Sequence, residues 1–246
     1  MELIVLGSSS LGNCYILKSE SDVLIIEAGV RFSKVQEALD YQTVDIVGCL
    51  ATHEDGDHIK YYSQVIDGGV RMFTSKGTLE KIKVTRPWMH EIIESGKKCL
   101  IGDFTVVPFD VIHDAAEPLG FYISHPEMGN LVFITDSKYS KYTFPNVNHF
   151  LVEANYVDHV IARNVDEGRL NESLANRILQ SHMGFDTCLN LLEANDLKQV
   201  RNIILLHLSN GNSDEKYMVD KVVEKTGKQT FAAITGLRLS LNINTF

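Results

Sequence analysis

The sequence predicts an α/β fold in which two β-sheets pack together inside helical layers. Apolar runs typical of strands occur in two successive blocks, helical patterns lie between them, and no linker-like stretch separates the blocks. A length of 246 residues suits a single α/β domain over residues 1–246. With 22% charged and 44% hydrophobic residues, the composition is that of a globular protein and argues against a disordered or fibrous class.

The strands are predicted from short apolar runs bounded by Gly, Ser, Asn and Pro. They cover residues 2–7, 14–19, 22–29, 44–50, 70–75, 104–112, 119–125, 131–136, 150–156, 202–209 and 231–243. The strand over 44–50 leads directly into a cluster of histidines and carboxylates.

The helices are predicted from apolar residues at helical spacing, such as Phe32, Val35 and Leu39. They cover residues 31–41, 59–69, 76–84, 169–183, 186–197 and 213–228. Either Asn171 or Ser173 is a suitable N-cap for the helix over 169–183.

The charge distribution bears on possible partners. A net charge of −9 argues against binding nucleic acid by bulk electrostatics, because phosphate neutralisation needs clustered Lys and Arg. However, the segment from Lys60 to Lys98 holds eight basic and four acidic residues. This segment is either a solvated helix face or a patch that faces the substrate.

Nothing in the sequence indicates secretion or a membrane. The start, MELIVLG, lacks a basic region, and no apolar run reaches membrane-spanning length. The four cysteines are far apart and form no CxxC motif, which is typical of reduced thiols. We therefore expect a cytoplasmic protein that does not bind a membrane.

The stretch ATHEDGDHIK places His53, Asp55, Asp57 and His58 directly after a predicted buried strand. Ligands usually bind at the carboxyl edge of such sheets, and alternate residues of an extended loop point the same way. His53 and Asp55 could therefore hold one metal ion while Asp57 and His58 reach a neighbouring one, with Gly56 allowing a tight loop. The alternative is a solvated turn in which Asp57 caps a helix that begins at Ile59.

Further candidate ligands follow other predicted strands. His113, Asp136 and His207 each come at or near the end of an apolar run. Each alone is weak support for a ligand, since a polar residue often ends a strand. Four strand ends that each carry a His or Asp together favour a metal site.

This ordered set resembles the HxHxDH motif, third His, bridging Asp and final His of the metallo-β-lactamase superfamily. Within the superfamily the chain is most similar to the YycJ/WalJ-type metallohydrolases, on the stretches GSSSLGNCY, HDAAEPLGFYI, VFITDSKY, FLVEANY and LLHLSNGNSD. The resemblance spans nearly the whole chain. It implies a four-layer αββα sandwich, with two mixed β-sheets flanked by helices.

The resemblance also implies a centre with two divalent metal ions. His53, Asp55 and His113 would hold one ion, Asp57, His58 and His207 the other, and Asp136 would bridge them. Asp55 stands where most of the metallo-β-lactamase superfamily has the second His of the motif. The metallo-β-lactamase-like domain of the competence protein ComEC has a similar HxDxDH pattern. A carboxylate at this place shifts the preference from zinc toward manganese or iron, and zinc and manganese both stay open. Glu27 stands where relatives usually have Asp, and we expect it either to support a ligand or to have a structural role.

The activity implied is that of a phosphodiesterase, specifically a DNA exonuclease, acting by attack of a metal-bridging hydroxide. We expect Asp57 and His182 to take part in catalysis, although a His at a helix C-terminus can also serve the helix dipole. The candidate substrate-binding residues are Ser209, Asn210 and Asn155, with Ser9 and Asn13 as weaker candidates. Two alternatives stay open, a hydrolase of small esters, lactones or cyclic phosphodiesters, and a degenerate metal-binding domain without catalysis.

Overall fold

The computed structural model describes residues 1–41 and 45–243. Val44, the first residue of the strand predicted over 44–50, lies outside the described residues. The strands are β1 (Glu2–Gly7), β2 (Cys14–Lys18), β3 (Asp22–Ile26), β4 (Asp45–Leu50), β5 (Met72–Thr74), β6 (His90–Ile92), β7 (Cys99–Ile101), β8 (Phe104–Asp110), β9 (Leu119–His125), β10 (Gly129–Ile134), β11 (His149–Glu153), β12 (Asn202–Leu206), β13 (Gln229–Ala232) and β14 (Arg238–Ser240).

The helices are mostly short and lie between the strands in sequence. They are α1 (Phe32–Ala38), α2 (Gly56–Ile59), α3 (Tyr62–Asp67), α4 (Lys76–Lys81), α5 (Asp158–Asp166), α6 (Glu172–Ser181), α7 (Phe185–Glu193) and α8 (Glu215–Thr226). Within the part of the chain that the structure describes, no helix is long and apolar enough to cross a membrane.

Two mixed sheets are present, as predicted. Across residues 1–41 and 45–243, each sheet has seven strands, in the orders β14-β1-β2-β3-β4-β5-β6 and β13-β12-β11-β10-β9-β8-β7. By their contacts, the residues divide into two compact units. Unit 1 comprises Met1–Asp110, Ala115–Asn130 and Ala233–Phe246, and unit 2 comprises Val111–Asp114 and Leu131–Ala232.

In unit 1, β3, β4, β5 and β6 pair in parallel. Their carboxyl ends therefore meet at one edge, where Glu27 follows β3 and the motif with His53 follows β4. A core of fully buried side chains, including Ile16 and Ile25, packs under α1 and α3 and fixes this edge. The buried thiols of Cys14 and Cys49 are free, and burial raises the pKa of each well above its ordinary value.

In unit 2, β10, β11, β12 and β13 also pair in parallel. The first three are almost wholly buried along their carboxyl halves. Asp136 follows β10, Glu153 ends β11 and His207 follows β12, so parallel pairing brings these three residues to one edge.

Some elements differ from the sequence prediction. The helix predicted over 59–69 is interrupted, because the backbone N–H of Tyr61 donates to the carbonyl of Ala28 instead of continuing a helix. Asn171 is the N-cap of α6, where its side chain accepts from the N–H of Ser173 at 2.7 Å. The sequence did not predict β6, β7 and α5, because three-residue strands show no clear alternation and the nine residues of α5 span only about two and a half turns.

Candidate metal centre

The first cluster, called here the motif cluster, consists of His53, Asp55, Asp57 and His58 in unit 1. The predicted alternative, a helix that begins at Ile59 with Asp57 as its cap, is wrong, because α2 begins at Gly56 and contains Asp57. Asp55 occupies the N-cap position, yet its side chain makes no capping hydrogen bond. Gly56 has none of the positive φ values that favour glycine, so the tight loop does not require its conformational freedom.

Buried Glu27 orients His58 in the motif cluster. Its Oε1 lies 3.3 Å from His58 Nδ1, and neither side chain is exposed to solvent. The opposite ring nitrogen, His58 Nε2, lies 3.4 Å from Asp57 Oδ2. A carboxylate beside one ring nitrogen of a histidine is the usual support of a metal ligand. It keeps the ring proton on that nitrogen, so that the lone pair of the other nitrogen can bind the metal ion.

His53 is held through Thr52. The Thr52 hydroxyl donates to Glu27 Oε1 at 2.6 Å, and His53 Nδ1 lies 2.8 Å from the same hydroxyl oxygen. Since the hydroxyl proton is used on Glu27, the hydroxyl accepts from His53 Nδ1–H, which leaves Nε2 as the ligand atom. That Nε2 lies 3.7 Å from Asp55 Oδ2. Glu27 thus sets both rings of the motif cluster, which agrees with the supporting role, one of the two expected for it.

The Gly/Ser loop between β1 and β2 packs against the motif cluster. Asn13 donates its backbone N–H to the carbonyl of Asp57 at 2.8 Å, and its amide nitrogen lies 3.1 Å from Asp57 Oδ2. Ser9 accepts the backbone N–H of Gly12 at 2.9 Å. Asn13 is therefore placed to hold the Asp57 carboxylate, whereas Ser9 holds the loop itself.

The second cluster, called here the Glu153 cluster, consists of Asp136, Glu153, His182 and His207 in unit 2. One ligand atom from each residue lies within 4.8 Å of the others, a group that could hold a metal ion. His207 Nδ1 is 3.7 Å from Asp136 Oδ1 and also 3.7 Å from Glu153 Oε1. The rings of His182 and His207 stack with their centroids 5.4 Å apart.

The sequence reasoning did not single out Glu153. It is fully buried, and its Oε2 accepts the backbone N–H groups of Ser137 at 2.9 Å and Met183 at 3.2 Å. Its Oε1 lies 2.7 Å from His182 Nδ1. Glu153 therefore orients His182 as Glu27 orients His58. The available signal was an acidic residue that ends an otherwise apolar strand, as in FLVE and LIIE.

His113 also lies in unit 2. His113 Nδ1 lies 3.1 Å from the carbonyl oxygen of Ser181 and therefore carries the ring proton. Nε2 then keeps its lone pair, with which it could bind a metal ion. The ring centroid of His113 is 5.9 Å from that of His182. The predicted ligand His113 is thus a neighbour of the Glu153 cluster, and Nε2 is the ring nitrogen that could bind a metal ion.

The predicted substrate-binding residues occupy different positions. Asn155 is buried, and its amide nitrogen lies 3.0 Å from His207 Nδ1 and donates to the His207 carbonyl at 2.9 Å. Ser209 is half-buried and Asn210 is exposed, on the loop that follows His207. Asn155 therefore supports His207, and a substrate contact for each of these residues stays a prediction.

Backbone strain coincides with the two clusters. Glu27, Asp136 and His207 have φ values of 69°, 45° and 53°. These values lie in the left-handed region that residues other than glycine rarely adopt. Such conformations persist where the surrounding structure fixes them, and they concentrate at functional sites.

Comparison with known proteins assigns a family. No protein-family model matches the chain. The exodeoxyribonuclease YycJ of Bacillus anthracis is 30% identical over an alignment of length 251, and the alignment covers 91% of this chain and 89% of the relative. The chain belongs to the YycJ/WalJ family. The family relative exodeoxyribonuclease WalJ of Streptococcus pneumoniae is 26% identical over 226 residues, covering 85% of this chain and 82% of WalJ.

The fold of this YycJ/WalJ family member is that of a metallo-β-lactamase. The metallo-β-lactamase fold protein YhfI of Bacillus subtilis superimposes with a TM-score of 0.71 at 15% identity, over 97% of this chain and 99% of YhfI. The predicted fold class is thereby confirmed.

The residues present fit divalent cations. Asp136, Glu153 and His207 are buried together, and such a group of ionisable side chains is costly unless a cation holds it. Imidazole nitrogens and carboxylate oxygens are ligands for zinc, manganese and iron alike. Glu27, Thr52 and Ser181 each lie beside Nδ1 of a histidine, namely His58, His53 and His113. In each ring, Nε2 is then the nitrogen that could bind a metal ion.

Proposed function

We propose that this protein is a metal-dependent phosphodiesterase that degrades DNA, and specifically an exonuclease. The observation that carries the proposal is the Glu153 cluster, in which a buried glutamate orients a histidine beside further metal-binding side chains. Support also comes from the family, since relatives over most of the chain are named exodeoxyribonucleases.

We propose that the chain binds two divalent ions, zinc or manganese, with iron as a further candidate. The ligands match the family positions: His53, Asp55, Asp57, His58, His113, Asp136 and His207. Asp55 adds a hard oxygen donor, which favours manganese relative to a site with histidine in its place. When bound, the ions would lower the pKa of water and stabilise the charge that develops on phosphoryl oxygens.

The chain's own residues would manage the protons. Asp57 Oδ2, which lies 3.1 Å from the amide nitrogen of Asn13, would accept the proton of the attacking water. His182 directs its Nδ1–H to Glu153. As an imidazolium ion stabilised by that carboxylate, it would give its Nε2 proton to the leaving oxygen and take a proton back from solvent after each turnover. Ser209 and Asn210 would donate hydrogen bonds to phosphate oxygens from the loop after His207.

A digestion assay tests the proposal. End-labelled double-stranded and single-stranded DNA would be incubated with the protein and manganese, beside the Asp136→Ala variant. We expect stepwise shortening from an end with the wild-type protein and none with Asp136→Ala. Asp166→Ala, the same change at an exposed position on α5, is the matched control and should cut DNA normally.

A second substrate makes the assay decisive. Wild-type protein that cleaves bis(p-nitrophenyl) phosphate but leaves DNA intact would overturn the assignment to DNA and favour a small-molecule substrate. If neither substrate is cleaved with manganese, zinc or iron, the phosphodiesterase proposal is wrong, and an ester or lactone hydrolase and a degenerate domain are the alternatives left.

A further inference from the structure

The basic segment of unit 1 keeps four lysines without an ion pair. Each of its four acidic residues pairs with one basic residue, in the pairs Arg71–Glu91 (2.9 Å), Lys76–Glu80 (3.7 Å), Arg86–Asp67 (3.1 Å) and Lys97–Glu94 (2.6 Å). Lys60, Lys81, Lys83 and Lys98 are exposed, and none has an ion pair with any residue of 1–41 or 45–243. The local positive charge is therefore carried by these four lysines.

Two of these lysines, Lys60 and Lys83, are connected through α3 to the motif cluster, and Lys81 lies two residues before Lys83. Lys60 comes directly after α2, which contains His58, and α3 begins two residues later. The hydroxyl of Tyr62, at the start of α3, donates to the carbonyl oxygen of Lys83. At the other end of α3, Asp67 pairs with Arg86. The chain from Lys83 to Arg86 thus follows α3, whose six residues span about 9 Å.

Trp88 lies just beyond Arg86 and is the only tryptophan in the chain. Its side chain is 71% exposed, although large aromatic side chains are usually well buried. The turn that carries it is fixed by Pro87, by the N–H of Met89 donating to the Arg86 carbonyl at 3.0 Å, and by His90 Nδ1 at 2.9 Å from the same oxygen. The indole therefore stands exposed on a defined turn, five residues after Lys83 in the chain.

We propose that an unpaired DNA strand binds along this surface, called here the strand track, which consists of Lys60, Lys81, Lys83 and Trp88. The lysines contact phosphates and Trp88 stacks on one base. Exposed aromatic rings beside cationic side chains are the usual means of binding single strands, because each base offers a flat face. A duplex keeps its bases stacked inside the helix, so it cannot offer that face. The proposal rests on the proposed nuclease function, since it specifies the form of DNA that the metal centre receives.

The single tryptophan makes the test direct, because all indole fluorescence comes from Trp88. We would titrate the manganese-loaded protein with oligothymidylate of roughly twelve nucleotides, a length typical of single-strand sites. Phosphorothioate linkages would resist cleavage during the titration. We expect saturable quenching that weakens as salt rises, and little quenching by heparin, a polyanion without bases.

Variants separate stacking from charge, with anisotropy of a fluorescein-labelled oligonucleotide as the readout. We expect Trp88→Ala to weaken binding about tenfold and Trp88→Phe to stay close to wild type, since phenylalanine still stacks. The double variant Lys81→Gln/Lys83→Gln should lower the slope of log affinity against log salt by about 1 for each lysine. Lys216→Gln/Lys225→Gln, on exposed positions of α8, is the matched control and should leave the slope unchanged.

Three results would overturn the strand track. They are no quenching by the oligonucleotide, equal quenching by heparin or by a duplex of the same length, and unchanged binding by Trp88→Ala. The outcomes for the two proposals can be told apart. Quenching without DNA cleavage supports the track and contradicts the nuclease, whereas cleavage without quenching contradicts the track alone.

Discussion

At the scale of single residues, two buried glutamates hold the histidines of the candidate metal centre. Glu27 sets His58 directly and His53 through Thr52, and Glu153 sets His182. The sequence predicted either a supporting or a structural role for Glu27, since it stands where the family has Asp. For Glu153 the available signal was only its place at the end of an apolar strand, and its partner His182 lies 29 residues further along the chain.

Replacing Glu27 tests this support. Glu27→Gln keeps the side-chain shape but removes the charge beside His58, and we expect metal affinity to fall about 10–100-fold. Competition with a chromogenic chelator measures the affinity. Glu20→Gln, an exposed position, is the control. Unchanged affinity in Glu27→Gln would show that Glu27 has only a structural role.

The role of His182 can be isolated by the choice of leaving group. We expect His182→Ala to slow DNA cleavage by a factor of about 10²–10⁴, because the leaving oxygen then lacks a proton donor. Cleavage of bis(p-nitrophenyl) phosphate should change far less, since p-nitrophenolate leaves without a proton. An equal loss on both substrates would contradict proton donation by Nε2.

Asp55 decides which metal is preferred. We expect Asp55→His to shift the metal that best supports activity from manganese toward zinc, because an imidazole replaces a hard oxygen donor. Activity would be measured across matched concentrations of both metals. An unchanged preference would contradict the role given to Asp55.

At the scale of elements, the ends of parallel strands and the short helix α2 place the ligands. The sequence predicted β4, β10 and β12 as apolar runs, and it gave the end of β4 correctly. The runs predicted for β10 and β12 extended two and three residues beyond Ile134 and Leu206, where the strands end. The sequence did not predict α2, since a four-residue helix shows no apolar periodicity and depends on contacts with the loops around Asn13 and Ala28.

Gly29 tests how tightly α2 is held. A Cβ at Gly29 would lie 1.8 Å from the carbonyl oxygen of Asp57, so Gly29→Ala must displace the motif cluster. We expect a loss of about 1–3 kcal/mol in the free energy of unfolding, measured with urea, together with weaker metal binding. Gly56→Ala, at the first residue of α2 and with nothing within 4 Å of the added Cβ, should do neither. Equal effects of the two changes would contradict this view of the loop.

At the scale of the whole molecule, the order of strands and helices predicted two sheets inside helical layers, and the resemblance of the ligand motifs to the metallo-β-lactamase superfamily predicted its fold with mixed sheets. The limits of single helices and the contacts between residues distant in sequence were not predictable. The link from Glu27 to Thr52, for example, depends on parallel pairing of β3 with β4 and leaves no local pattern. Single-domain organisation and cytoplasmic location stay predictions.

The metal content of the purified protein tests the central claim most directly. Wild-type protein and Asp136→Ala would be supplemented with manganese or zinc, desalted and analysed by inductively coupled plasma mass spectrometry. We expect about two ions per chain in the wild type and a clear loss in Asp136→Ala, whose missing carboxylate is the proposed bridge. A wild-type content below about one ion per chain with either metal would contradict a two-metal centre.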